Sequence, residues 1–374
     1  MQLPPESQDD LGWVVSQRLE IFETFRKTAR LRGYNEITTP VIEYAETFTN
    51  PYVGMNLKTM LKWFDSEGDI EVLRPDWTIA IARALSSEHS SRKKWAYQGS
   101  VFQTDKPGIE CRQAGIEIVD MDPVLGEVEC LLLAHQFLQD IHIDPYFIEL
   151  GHTGVFEALT QSMALGKRPK EQLRQAMHDK NKDEVYRISK NFSTDEQARE
   201  LTELVDAFGS THILADYEKR WKNQEHLLHI IHHLKKVIRL LEDLSDQEIL
   251  IDLGRVKNLP YYSGIMFRGY SKTSGSTLFS GGRYDHLYHQ FERKRTAVGL
   301  AFDVDELVQN TREESRPSRI CLLADSDTLG AAEALRTSFE HAIVDVQFEE
   351  VDKTTYDKIF KIVDRSGQYE VIKE

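Results

Sequence analysis

Cysteine is scarce in this chain. Cys111, Cys130 and Cys321 stand singly among 374 residues, a spacing that builds neither a disulfide framework nor a zinc site. A reducing compartment is expected. Long apolar runs are missing too, with no window near the ~18 apolar residues of a membrane span, so no membrane is expected as a partner. Residues 1–20 carry Glu6, Asp9 and Asp10 and no unbroken apolar stretch, which gives no sign of a signal or transit peptide. The expected location is cytoplasmic. Positive charge is in deficit: 46 Lys and Arg against 61 Asp and Glu leave a net charge of −15, spread along the chain. Proteins that grip phosphodiester backbone need clustered cations, so nucleic acid is a disfavoured partner. No G-x-x-x-x-G-K-[ST] phosphate loop occurs, and internal repeats are absent.

What is present is a folding chain, with 40% hydrophobic and 10% aromatic residues and a length that calls for two or three units. Leu19, Phe22, Phe25 and Ala29 recur at helical spacing and predict a helix ending at Gly33. Residues 37–44, interrupted by Pro40, read as an extended edge or interface segment. Short apolar runs from Leu61 to Val119 predict one antiparallel hairpin sheet with a helix over Trp77–Leu85 inserted. A helix over 124–140 and a strand over 147–151 follow. Residues 154–244 carry dense Lys, Gln, Glu and Asp and no strand-like runs, so a helical insertion is expected there. Strands resume at 249–254, 265–270 and 277–282, and AVGLAFDVDELVQN runs from strand into helix. The polar stretch 311–319 reads as a linker. The remainder alternates strand and helix. The expected fold is therefore α+β: a core over 1–318, an antiparallel sheet flanked by helices with a helical insertion at about 154–245, and a small α/β unit over 319–374.

Two clusters invite a chemical reading and favour a plainer one. His226, His229, His232 and His233 share a helix, but Leu227, Ile230, Ile231 and Leu234 form its buried stripe and leave the histidines on the flank, so no metal is expected. In ICLLADSDTLGAA a strand feeds a helix whose N-terminus could hold an anion. Asp325 and Asp327 speak against phosphate there, and their expected role is to cap the helix near Thr328.

Three segments in order carry more: VLRPDWTIAIARAL, then YQGSVFQTDKPGIECRQAGIEIVD, then SGGRYDHLYHQF with AVGLAFDVDEL. Over about residues 10–310 they resemble the class II aminoacyl-tRNA synthetase core, specifically the histidyl-tRNA synthetase branch. GYNEITTPVIEY is similar to that family's first motif, a dimer-interface helix and strand ending at a proline, here Pro40. LGHTGVFEAL and ILIDLG before NLPYYSG are similar to the flanks of its histidine-specific loop. The resemblance implies a histidine-like pocket from Asp76, Thr78, Gln113, Glu117, Tyr262 and Ser263, where carboxylates suit an ammonium and amide and phenol suit an imidazole. Asp76 is one methylene shorter than the family's glutamate, and Trp77 replaces a glycine, which narrows that pocket.

The ATP half departs from the family. Adenylate formation needs cations aimed at the phosphates while charge builds in the transition state. Gln103 stands where the second motif has an arginine, Lys257 where the histidine-specific loop has one, and Glu306 where the third motif has one that clamps the γ-phosphate. A lysine does not reproduce a bidentate guanidinium fork. The family's anticodon-binding domain runs to about 90 residues, ordinary domain size, whereas about 55 follow the linker here. No catalytic residue, no cofactor and no tRNA partner are expected. Such a core resembles the ATP phosphoribosyltransferase regulatory subunits, paralogues of the synthetases. The resemblance implies a short-form catalytic partner, a homodimer through the first-motif region within a hetero-octamer, and histidine as feedback effector. An active histidyl-tRNA synthetase and a free-standing amino-acid sensor remain the alternatives.

Overall fold

The computed structural model describes residues 3, 7–87, 92–105, 108–256, 261–311, 318–340, 342–365 and 368–373. The first helix, Trp13–Leu31, buries Ile21, Phe25, Thr28 and Ala29, and the chain leaves it through Gly33 at φ +80°, a left-handed turn that glycine enters without strain. Contacts divide the chain into Met1–Thr311 and Arg312–Glu374.

The first unit is organised by a nine-stranded sheet. Its strand order is Asn35–Glu36, Lys94–Phe102, Glu110–Val119, Ala297–Asp303, Thr277–Arg283, Ile265–Ser271, Tyr146–His152, Ile249–Asp252 and Phe208–Ser210. The first pair and the pair Tyr146–His152 with Ile249–Asp252 are parallel; the other joins are antiparallel. Side chains alternate along each strand. On Glu110–Val119 this sends Ala114, Ile116 and Ile118 into the core shared with helices Trp13–Leu31 and Pro123–Asp140, and turns Gln113, Gly115 and Glu117 to the other face. Phe25, Phe137 and Phe302 meet edge to face at 4.7–5.9 Å in that core. Fully burying each ring is worth about 1.5–3 kcal/mol, which holds the two helices against this face of the sheet.

Residues 61–119 do not form the single hairpin sheet that the apolar runs predict. Ile42–Tyr44, Ile70–Leu73 and Lys62–Phe64 make a separate three-stranded sheet, and only Lys94–Phe102 and Glu110–Val119 join the main one. The helix between them, Trp77–Ser87, buries Trp77, Ile79, Ile81, Ala82 and Leu85 in one core with Val72 of the small sheet and Trp95, Tyr97 and Val101 of the main one. No helix among the described residues is long and apolar enough to cross a membrane.

The segment 154–244 is helical as its composition suggests, from Thr153–Thr160 to Glu225–Glu242, but it also contributes Phe208–Ser210 to the sheet edge. Leu173, Leu201, Trp221 and Leu227 join the same hydrophobic core as the sheet. Two of the four clustered histidines have carboxylate partners that spacing could not reveal. His232 meets Glu218 at 2.9 Å, and His233 meets the fully buried Glu127 at 2.7 Å. Glu127 also accepts from Arg283 Nε at 2.7 Å, and Arg283 reaches Asp285 at 3.1 Å and the Pro123 carbonyl at 2.9 Å.

The second unit is a four-stranded sheet, ordered Ala342–Gln347, Ser318–Leu323, Lys358–Arg365 and Gln368–Lys373, with helix Leu329–Arg336. The strand and helix alternation predicted for the tail holds through Ala342–Gln347 and stops there, because Lys358–Arg365 is a strand that pairs parallel with Ser318–Leu323 and antiparallel with Gln368–Lys373. Asp325 accepts from the Asp327 and Thr328 amides at 3.0 and 2.9 Å, so it shapes the turn before the helix while Thr328 holds the cap position.

Removing one member of a buried ion pair strands the other, at a cost of about 3–5 kcal/mol. Glu127→Ala should therefore lower the unfolding free energy by that order in urea titrations, and Glu127→Gln by less. Equal stability of Glu127→Ala and the parent would show that Arg283 finds another partner.

Candidate functional site

Glu117 projects from the polar face of Glu110–Val119 and is 1% exposed. Both carboxylate oxygens are engaged. Thr78 Oγ1, from the first turn of helix Trp77–Ser87, donates to Oε1 at 2.7 Å, and the Tyr284 hydroxyl donates to Oε2. The carboxyl lies against the backbone of the neighbouring strand at Gly299, where an added Cβ would stand 1.8 Å from Oε2. Burial pushes the Glu117 pKa up to about 8; the two hydroxyls pull it down and the charge of Asp76 pushes it up. At neutral pH this carboxyl holds its proton and can donate as well as accept.

Asp76 accepts the Ile79 amide at 2.9 Å and so caps the start of helix Trp77–Ser87, which fixes Thr78 in its first turn. The Tyr262 ring stacks on Tyr261 with centroids 4.9 Å apart and presses on Gly282, whose added Cβ would meet it at 2.9 Å. Its phenol is raised by burial and then by the charges of Asp76 and Glu117. Asp76, Thr78, Glu117 and Tyr262 thus share one electrostatic neighbourhood. Ser263 stands beside it with its hydroxyl accepting the Asp285 amide at 2.9 Å.

Gln113 shares the face of Glu117, but Gly115 lies between them and is covered by the Tyr97 ring, since a Cβ there would stand 2.4 Å from Tyr97 Cζ. Trp77 is 1% exposed and stacks on Tyr97 at 5.0 Å. Arg74 lies 3.4 Å over Trp77 and donates to the carbonyls of Ser100 and Thr39 at 3.0 and 2.9 Å. Burial pulls its pKa down to about 10, so it stays charged at neutral pH. This column of Arg74, Trp77 and Tyr97 occupies the space that a glycine at 77 would leave open. Gln113 and Glu117 flank it.

The positions that resemble lost ATP arginines are tied into local structure. Gln103 Nε2 donates to the Pro75 carbonyl at 2.7 Å. Glu306 sits with Asp305 in the first turn of helix Val304–Asn310, where negative charge suits the helix dipole, and its amide is capped by Asp303 at 3.1 Å. Asp305 is bridged to Arg18 at 3.3 Å and accepts the Arg112 amide at 2.9 Å. Lys257 lies outside the described residues. Sequence reasoning missed Tyr284, Tyr97 and Arg74. Tyr284 was in view within SGGRYDHLYHQF, but nothing in that string says that its hydroxyl meets a carboxylate on another strand.

A carboxyl whose pKa rises on folding contributes stability that is complete below its unfolded value, near 4.5, and is lost as pH climbs through the folded value near 8. Unfolding free energy should therefore fall between pH 5 and 8.5, and Glu117→Gln, which keeps the volume and cannot ionise, should flatten that slope. Denaturation at pH 5.5 and 8.5 checks it; parallel slopes in both proteins would contradict the assignment. Gly299→Ala should displace the carboxyl and remove the same pH dependence.

Comparison with known proteins gives a consistent result. The family model described as histidyl-tRNA synthetase matches residues 9–307. An ATP phosphoribosyltransferase regulatory subunit from Bacillus cereus (strain AH820) is 32% identical over 339 residues, covering 86% of this chain and 80% of the relative. One from Bacillus mycoides (strain KBAB4) is 32% identical over 335 residues, covering 85% of this chain and 79% of that one. Among solved structures, an ATP phosphoribosyltransferase regulatory subunit/histidyl-tRNA synthetase from Bacillus halodurans C superposes with a TM-score of 0.82 at 24% identity, over 96% of this chain and 97% of the other. A histidyl-tRNA synthetase from Nostoc sp. PCC 7120 gives 0.77 at 17% identity, over 100% and 96%. At those identities the two structures speak for the fold, a class II synthetase-like sheet flanked by helices. With the sequence relatives and the family model, they place the chain in the histidyl-tRNA synthetase family, among the ATP phosphoribosyltransferase regulatory subunits.

Proposed function

We propose that this chain is the non-catalytic regulatory subunit of ATP phosphoribosyltransferase, required for the first step of histidine biosynthesis, and that histidine bound beside Glu117 mediates feedback inhibition. The observation that carries this reading is an asymmetry. The carboxyl, hydroxyl and phenol groups of Glu117, Thr78, Asp76 and Tyr262 are gathered in one place, while Gln103 donates to a backbone carbonyl and Glu306 lies in the first turn of a helix where phosphate-binding cations would stand. A site that keeps amino-acid contacts and cannot form an adenylate suits sensing, since the ligand is bound and not consumed. Adenylation lacks its cations, each worth roughly 2–4 kcal/mol of transition-state stabilisation. That argues against an active synthetase.

The partner is a short-form catalytic subunit, and regulation acts by shifting its conformational populations, which requires a differential affinity for its states. Exposed Val41, Ile42 and Tyr44, at 43, 49 and 54%, support a homodimer through the first-motif region, within a hetero-octamer.

Glu117→Gln removes a charge-assisted contact worth about 1.5–3 kcal/mol and should weaken histidine inhibition of the assembled complex by about ten-fold or more. Uninhibited activity and assembly should be spared. Histidine titration of phosphoribosyl transfer by the parent and variant complexes tests this; superimposable inhibition curves would move the effector to another site. Purified alone, the chain should show no histidine-dependent pyrophosphate exchange into ATP, and exchange above a no-protein control would restore the synthetase alternative.

A further inference from the structure

We propose that a small oxyanion, a carboxylate or phosphate in class, binds a second site of this chain between Arg255, Arg268 and Lys180. These residues line a cavity of about 170 Å³ between the end of helix Lys167–His178 and the strands Tyr146–His152, Ile249–Asp252 and Ile265–Ser271. Arg268 and Glu149 are direct cross-strand partners and so share a face of the sheet. Arg255 follows Ile249–Asp252 and runs its stem over Gly151, where an added Cβ would stand 3.2 Å from Arg255 Cβ. The space is polar and roomy enough for an oxyanion with water.

Its charges do not balance. Arg255 pairs with Glu149, and Lys180, itself at φ +53°, pairs with Asp252 at 2.8 Å. Arg268 donates to the Tyr270 hydroxyl at 3.2 Å. Three cations therefore face two carboxylates. Arg255, Glu149 and Asp252 are 7, 9 and 5% exposed, so the excess positive charge lies next to a dry wall where solvent screens weakly. The neighbours register it: burial pulls the Arg255 pKa down to about 10 and the Arg268 charge pulls in the same direction. Burial also raises the Asp252 carboxyl, against the pull of Lys180. An oxyanion between the two guanidiniums would meet fork-shaped donors suited to carboxylate and phosphate. None of this depends on histidine binding beside Glu117.

The test is thermal unfolding of the full chain at constant ionic strength, titrated separately with inorganic phosphate and with acetate. At least one should raise the melting temperature along a saturating curve, as binding to the folded state alone requires, and the one that saturates at lower concentration identifies the class. Arg268→Gln should move that midpoint at least ten-fold higher. Lys180→Gln, whose parent side chain is 44% exposed, should move it several-fold and keeps the test decisive if Arg268→Gln does not fold. A linear response to both anions, or an unchanged midpoint in the folded variants, would overturn the site.

Discussion

Much of the site's geometry depends on one buried carboxyl. Glu117 reaches its place because strand parity sends Ile116 and Ile118 into the helix-packed core and leaves Glu117 on the opposite face. It stays there because Gly299 offers no Cβ to displace it. Thr78 then satisfies one oxygen and Tyr284 the other. A buried polar group is tolerated only when hydrogen-bonded, so the helix carrying Thr78 and the strand end carrying Tyr284 are held in register by it. Asp76 is part of the same arrangement, since capping that helix is what positions Thr78.

The ATP half shows a different physics. At the positions that resemble the family's arginines, Gln103 donates to the Pro75 carbonyl and Glu306 lies in the first turn of a helix. Trp77 goes further and occupies volume, stacked between Arg74 and Tyr97. The chain thus keeps a synthetase-like fold, and where it resembles the family's phosphate side its residues are engaged in packing and local hydrogen bonds. Behind it, the pairing of Glu127 with Arg283 and His233 ties the helical insertion to the strand that leads to Tyr284.

Much of this was legible in the sequence, and for physical reasons. Helix Trp13–Leu31 announces itself through apolar spacing and Gly33, and the helical segment 154–244 through its composition. What failed were readings that depend on partners far along the chain. The two sheets share one core with helix Trp77–Ser87, and the run Lys358–Arg365 is a strand because of its neighbours on both sides. The roles of Tyr284, Arg74 and Glu127 are contacts across 26 to 167 positions of chain, which no local pattern encodes. Gln113 and Glu117 are four residues apart in a motif, yet Tyr97 rises between them.

The central claim is that Glu117 is protonated in the empty site and meets a cationic ligand group when histidine arrives. A cation beside a carboxyl lowers its pKa, so binding near pH 7.5 must release a proton from a group that titrates at about 8. Calorimetric titration of histidine into the assembled complex in two buffers of different ionisation enthalpy measures that proton directly. The account predicts a buffer-dependent heat for the parent that disappears in Glu117→Gln; equal heats in both buffers for the parent would contradict it.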